Sequence, residues 1–224
     1  MLEMPSKLFK GLEPQYANAF LRGELLFRSY SYFMRTEDTA RHDGFDGRHV
    51  DAPTHEVNIE VLSTGKNIRG EFEFHNICGK PDKIFCFCSS MNANAIAKFG
   101  GAKIEILDVK ELSSRIQKYL TRLGRLIRLD SPLPLASAIT YYSSTKAAPS
   151  KTDVKNPREL AFLKRDIYSE ENEFRFVFSR RGGISLIQKL TTKAYEPADD
   201  LLSIVDKQIL LKLGSLNDIA REID

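Results

Sequence analysis

Apolar positions recur along the chain in two rhythms, one of period two and one of period three to four. Lys7–Gly11 reads as a short strand, and Pro14–Arg22 as a helix with Tyr16, Ala19 and Phe20 on one side and Gly23 closing it. Leu25–Phe27 is a further short strand. Val57, Ile59 and Val61 alternate with polar neighbours, as do Phe72 and Phe74, and Ser63-Thr64-Gly65-Lys66-Asn67 between them predicts a β-hairpin. Ile84–Cys88 is a continuous apolar run, hence a buried central strand. Asn92–Phe99 predicts a short helix stopped by Gly100 and Gly101, and Lys103–Leu107 a strand.

The strongest helix signal starts at Asp108. This residue is a good N-cap, Glu111 follows three later, and Leu112, Ile116, Tyr119, Leu120 and Leu123 keep helical spacing up to Gly124. Ala138–Tyr142 predicts a strand, Pro149–Pro157 a polar connection and Arg158–Lys164 a short helix. In Glu173–Ser179, Phe174, Phe176 and Phe178 point one way, and Glu173, Arg175 and Val177 the other. Ile184–Leu190 and Gln208–Leu213 are further strands, the last ended by Gly214. Helices and strands mix without a regular βαβ repeat. The expected fold is therefore α+β: a single domain over 1–224 with mixed, mostly antiparallel sheet and flanking helices.

Composition narrows the function classes. The chain has 33 basic and 30 acidic residues, net +3, too balanced to announce a nucleic-acid binder. Arg115, Lys118 and Arg122 share a helical face, with Arg125 and Arg128 following, and read as the solvated back of an amphipathic helix. No apolar stretch is long enough to span a membrane, and Met1–Lys10 has no apolar leader, so the expected location is the cytoplasm. Cys78, Cys86 and Cys88 are an odd set, and Cys86 and Cys88 share a strand face without being able to bridge; buried free thiols are expected. The stretch from Arg35 to Asp51 is crowded with turn-forming and charged residues and reads as a long loop. Its His42, Asp43, Asp46 and His49 do not have calcium-loop spacing, and Asx-type hydrogen bonds are the expected use. Tyr141-Tyr142 closes a strand, for core packing or stacking at the sheet edge. There is no P-loop, G-x-G-x-x-G or G-x-S-x-G motif.

The candidate chemistry lies in Glu171-Asn172-Glu173-Phe174-Arg175. On an extended strand, 171, 173 and 175 fall on one face, spaced about 7 Å. Two carboxylates and a guanidinium then look into one space, with three phenylalanines anchoring the opposite face. Like-charge proximity raises one carboxyl pKa, and the arginine lowers its neighbour's. A solvent-facing charged sheet surface is the alternative use of the same pattern.

Three blocks resemble an uncharacterised bacterial family of domains of unknown function, some found near abortive-infection and phage-defence genes. They are Leu25–Gly47 with Asp43-Gly44-Phe45-Asp46, Phe85–Ser90, and Lys164–Arg175 with Tyr168, Glu171, Glu173 and Arg175. The chain has no tryptophan, whereas that family carries one in the middle block. The order Arg28, then Ser89-Ser90, then Glu171-Asn172-Glu173 also resembles the arginine-type ADP-ribosyltransferases, with Lys10 competing for the role of Arg28. That resemblance implies NAD as the cosubstrate and a protein or nucleic-acid acceptor. It implies Glu173 as the group that stabilises the cation formed when nicotinamide leaves, and Glu171 as the residue that positions or deprotonates the acceptor. Arg28, Ser89, Ser90 and Arg175 are the implied NAD-binding residues, in a toxin or defence effector. Two other functions fit the residues: a metal-dependent phosphodiesterase or nuclease using Asp43, Asp46, Glu171 and Glu173, and a non-catalytic sensor or binding module.

Overall fold

The structure is a computed structural model that describes residues 4–35, 47–51, 55–78, 82–91, 99–127, 135–143, 157–179, 186–192 and 208–223. In chain order the first elements are β1 (Leu8–Leu12), α1 (Pro14–Leu21), β2 (Glu24–Ser29), α2 (Tyr30–Arg35), β3 (Arg48–Asp51), β4 (Val57–Val61), β5 (Lys66–Gly70), β6 (Phe72–Cys78), β7 (Asp82–Cys88) and β8 (Ala102–Ile106). There follow α3 (Val109–Ile127), β9 (Leu135–Ala138), β10 (Thr140–Tyr142), α4 (Pro157–Leu160), β11 (Leu163–Arg165), a 3-10 turn over Asp166–Glu171, β12 (Glu173–Ser179), β13 (Leu186–Thr192), β14 (Ile209–Lys212) and β15 (Ala220–Ile223). The α+β class holds, with every described strand pair antiparallel except β10 and β11. No described helix is long and apolar enough to cross a membrane.

The main sheet forks. Its trunk is β7, β12 and β9, with β12 paired along all of β7 from Glu173 opposite Cys88 to Ser179 opposite Asp82. A strand has only two edges, and two strands share the other edge of β7. β1 takes one end, through Phe9 and Cys88, and β2 takes the opposite end, through Arg28 and Ile84. One arm continues from β1 to β8 and β15, the other from β2 to β14. Helix α1 connects β1 of the first arm to β2 of the second along the chain. Glu105 on β8 accepts from Lys7 at 2.6 Å and Arg221 at 2.8 Å, tying the outer strands of the first arm.

The apolar rhythm explains the core. Phe85 and Phe87 of β7 and Phe174, Phe176 and Phe178 of β12 are all buried with Phe20 and Phe27 against Leu112, Ile116 and Leu120 of α3. Burial of each such ring contributes roughly 1.5–3 kcal/mol. The other trunk face packs Ile84 and Val177 with Tyr30, Leu160 and Ala161. Glu173, Arg175 and Cys86 share that face by alternation.

Several elements differ from the sequence expectation. The chain has already reversed at Gly65 (φ 65°), where Val61 O accepts from Thr64 and Gly65, so β4 pairs with β5. Phe72 and Phe74 instead belong to β6, between β13 and β3. Helix α3 runs through buried Gly124 to Ile127; its apolar face outweighs the ~1 kcal/mol that an interior glycine costs. The strand expected over Ala138–Tyr142 breaks at Ile139, whose N–H donates to Glu173 O, and β10 leaves to pair with β11. That pairing also captures Leu163–Arg165, so the helix expected to Lys164 stops at Leu160. Arg115 is not a solvated back: it donates to Glu111, Ser215 O and Asp218, fastening α3 to the chain ahead of β15. Lys118 and Arg122 are exposed as expected. The helix expected from Asn92, most of the Arg35–Asp51 loop, Arg128 and most of the 149–157 connection lie outside the described residues.

Gly23 joins the second arm to the core, at φ 88°, and a Cβ there would stand 2.0 Å from Gly214 O. Gly23→Ala is expected to cost roughly 2 kcal/mol or more, from both the left-handed backbone and the clash. A urea denaturation midpoint equal to that of the native chain would show that the two backbones can part at no cost.

Candidate functional site

The fork leaves the middle of the β7 edge without a strand neighbour, and a cavity of about 510 Å³ opens there. Its walls come from both arms, from α1 and α2, and from the start of β12. Lys10, Arg28, Lys164, Glu171 and Glu173 line it, with Tyr16, Tyr32, Phe33 and Cys86. Size and mixed lining are those of a small-molecule site.

Each charged side chain is placed by its element. Lys10 extends from β1 past the Phe85 ring, 4.8 Å from its centroid, and donates to Cys86 O at 2.7 Å. Its ammonium thus caps a carbonyl that the fork leaves without a ladder partner. Among the described residues Lys10 meets no carboxylate. Arg28 alternates out of the core on β2 and stacks on Tyr32, 4.1 Å from its centroid. Two cations from different arms therefore reach one cavity.

Glu173 is the best-held group. Its N–H donates to Tyr141 Oη at 2.8 Å, and its carbonyl accepts from Ile139. Burial pushes the Tyr141 hydroxyl up to about 12, so it stays protonated. The Glu173 carboxylate accepts from Lys164 Nζ at 2.9 Å and from both Nε and a terminal nitrogen of Arg175, the latter at 3.2 Å. The Cys86 thiol donates to it as well. Burial alone would raise this carboxyl, but the Arg175 and Lys164 charges outweigh it and hold it far below the usual range. Glu173 is ionised at any physiological pH.

Glu171 does not lie on the same strand face, as an extended chain would place it. It ends the 3-10 turn, and Asn172 at φ 42° then turns the backbone into β12. Its carboxylate still comes to the site, because Lys164 Nζ donates to it at 2.7 Å. Burial raises the Glu171 carboxyl, with the Lys164 charge opposing and the Glu173 charge adding. The two carboxyl groups are therefore driven apart, chiefly by burial at Glu171 and by the Arg175 and Lys164 charges at Glu173, with like-charge proximity a lesser cause.

Arg175 is completely buried and does not line the cavity. It grips Glu173 and donates to Ala161 O at 3.2 Å. The ligand-binding role expected for it becomes one of fixing Glu173. Ser89 and Ser90 lie outside the cavity too: both N–H and Oγ of Ser89 donate to Asn172 O, at 2.7 and 2.9 Å, and clamp the turn that leads into β12. Ser90 is exposed beside it.

Sequence reasoning gave Lys164 no role, although it stands nine positions before Glu173; the strand β11 that brings it back has only three residues. Cys86 and Cys88 are free, and burial pushes the Cys88 thiol up to about 11 and the Cys86 thiol well above its ordinary value. Asp43, Asp46 and His42 lie outside the described residues, and His49 sits on β3. Among the described residues no cluster of three His, Cys, Asp or Glu is arranged to hold a metal. The Lys164 ammonium stands between the two glutamates that a divalent ion would share. No family model, curated protein or solved structure is significantly similar to the chain.

Proposed function

We propose that the protein is an NAD-consuming enzyme of the ADP-ribosyltransferase type, acting at the fork cavity. The observation that carries this reading is the meeting of a permanently ionised Glu173 with Lys10 and Arg28 in one cleft of about 510 Å³. A dinucleotide needs cations for its pyrophosphate, apolar and aromatic surface for its rings, and a fixed negative charge beside the bond that breaks. Arg28 and Lys10 suit the pyrophosphate. The Tyr16, Tyr32 and Phe33 rings suit the bases or ribose faces.

Cleavage of the bond between ribose C1′ and the nicotinamide nitrogen leaves positive charge on the ribose. The Glu173 carboxylate is ionised before substrate arrives and held by Arg175, Lys164 and Cys86, so it reorganises little as that charge develops. Glu171, with its raised pKa, suits proton transfer from the acceptor. Consumption of NAD, or modification of a cellular target, is the route by which such an enzyme would act as a toxin or defence effector.

The test is nicotinamide release from NAD by the pure protein, followed through Lys10. Lys10→Met keeps the apolar stem against Phe85 and removes the charge. Loss of a charged hydrogen bond is expected to weaken NAD binding about tenfold or more, with the melting temperature lowered by only a few degrees as Cys86 O loses its donor. Absence of NAD turnover by the native chain, or unaltered affinity in Lys10→Met, would contradict the assignment.

A further inference from the structure

We infer that the acceptor served by this site is an uncharged O–H nucleophile, water when no macromolecule is present, rather than a guanidinium or amine. The inference rests on the NAD reading above and gives it a substrate class. Its basis is the position of Lys164. This residue is buried, its Nζ stands 2.7 Å from Glu171 and 2.9 Å from Glu173, and the Tyr168 ring covers it with its centroid 4.7 Å away.

A basic acceptor would be steered by the carboxylates of the site. Both oxygens of Glu173 already accept from Arg175, and Glu171 is the carboxylate that shares Lys164 with it; the other two on the cavity wall, Glu13 and Glu24, come from the chain ahead of α1 and from β2. The seat between the two glutamates already holds an ammonium. A second cation brought to Glu171 would approach Lys164 at close range in a partly desolvated cleft, where like charges repel strongly. A neutral O–H group meets no such penalty and can donate to Glu171. The raised carboxyl of Glu171 also makes it a better base than an ordinary glutamate.

The step balances without another reactant. The C1′–N bond breaks and its electron pair passes to the nicotinamide nitrogen, cancelling the ring's positive charge. The acceptor oxygen bonds C1′, and its proton passes to Glu171 and then to solvent. With water, NAD and water give ADP-ribose, nicotinamide and a proton.

The full chain is incubated with NAD labelled in the adenylate, alone, with excess agmatine as a guanidinium probe, and with methanol as an O–H probe. The expected products are ADP-ribose equal to the nicotinamide released, a methyl adduct with methanol, and an agmatine adduct below about a tenth of total turnover. Lys164→Met is expected to raise the agmatine share about tenfold; the native partition decides the matter even where that variant fails to fold. An agmatine adduct as the main product of the native chain overturns the inference while leaving NAD consumption intact. Absence of nicotinamide release in every arm overturns both.

Discussion

Glu173→Gln is expected to lower nicotinamide release from NAD about 100- to 1000-fold, the range found when one preorganised electrostatic group is removed from an active site. The amide keeps the shape of the side chain but loses the charge that Arg175, Lys164 and Cys86 hold in place. Lys10 and Arg28 are untouched, so the loss falls on kcat and leaves KM nearly unchanged. Circular dichroism and a denaturation curve establish the folded fraction, because the variant also leaves two buried cations short of a partner. Turnover per folded molecule within tenfold of the native chain would remove Glu173 from the chemistry.

The second large effect is on stability. Arg175 is wholly buried and its guanidinium satisfies Glu173 and Ala161 O together. Arg175→Leu strips a buried carboxylate of its main partner, a change that costs about 3–5 kcal/mol. Acid behaviour distinguishes this from simple loss of packing. The folded carboxyl of Glu173 lies below its unfolded value of about 4.3, so its contribution is complete above that pH. The contribution fades as acid protonates the unfolded chain first. With Arg175 gone, burial is no longer outweighed to the same degree, and the decline in urea midpoint between about pH 5 and 3 becomes shallower. A parallel pH slope in the two proteins would mean that Arg175 does not set the ionisation of Glu173.

What could be read from residue order follows from how local each signal is. The Phe174, Phe176 and Phe178 alternation fixes β12 and its buried face, and the apolar run Ile84–Cys88 fixes the central strand. Asp108 does cap α3, accepting from the Glu111 N–H at 2.9 Å. Elements held by pairing rather than by their own pattern escaped. β5 carries a single bulky apolar residue, Ile68, and β11 is three residues long. Glu173 falls on the strand expected for it and Arg28 on a strand that runs past the expected Leu25–Phe27, yet the fork that joins them depends on two strands sharing one edge, which no window of sequence contains. Ser89 misled because its donors turn to Asn172 O, and Asn172 is the only described non-glycine residue with positive φ.

That left-handed asparagine separates two mechanical units. Glu173 belongs to the sheet, where β7, Tyr141 and Ile139 pin its backbone, whereas Glu171 belongs to the short 3-10 turn. The gap between the two carboxylates is therefore not a fixed strand repeat. Substitutions within Asp166–Glu170 can tune the reach of the Glu171 carboxylate while that of Glu173 stays where the sheet holds it.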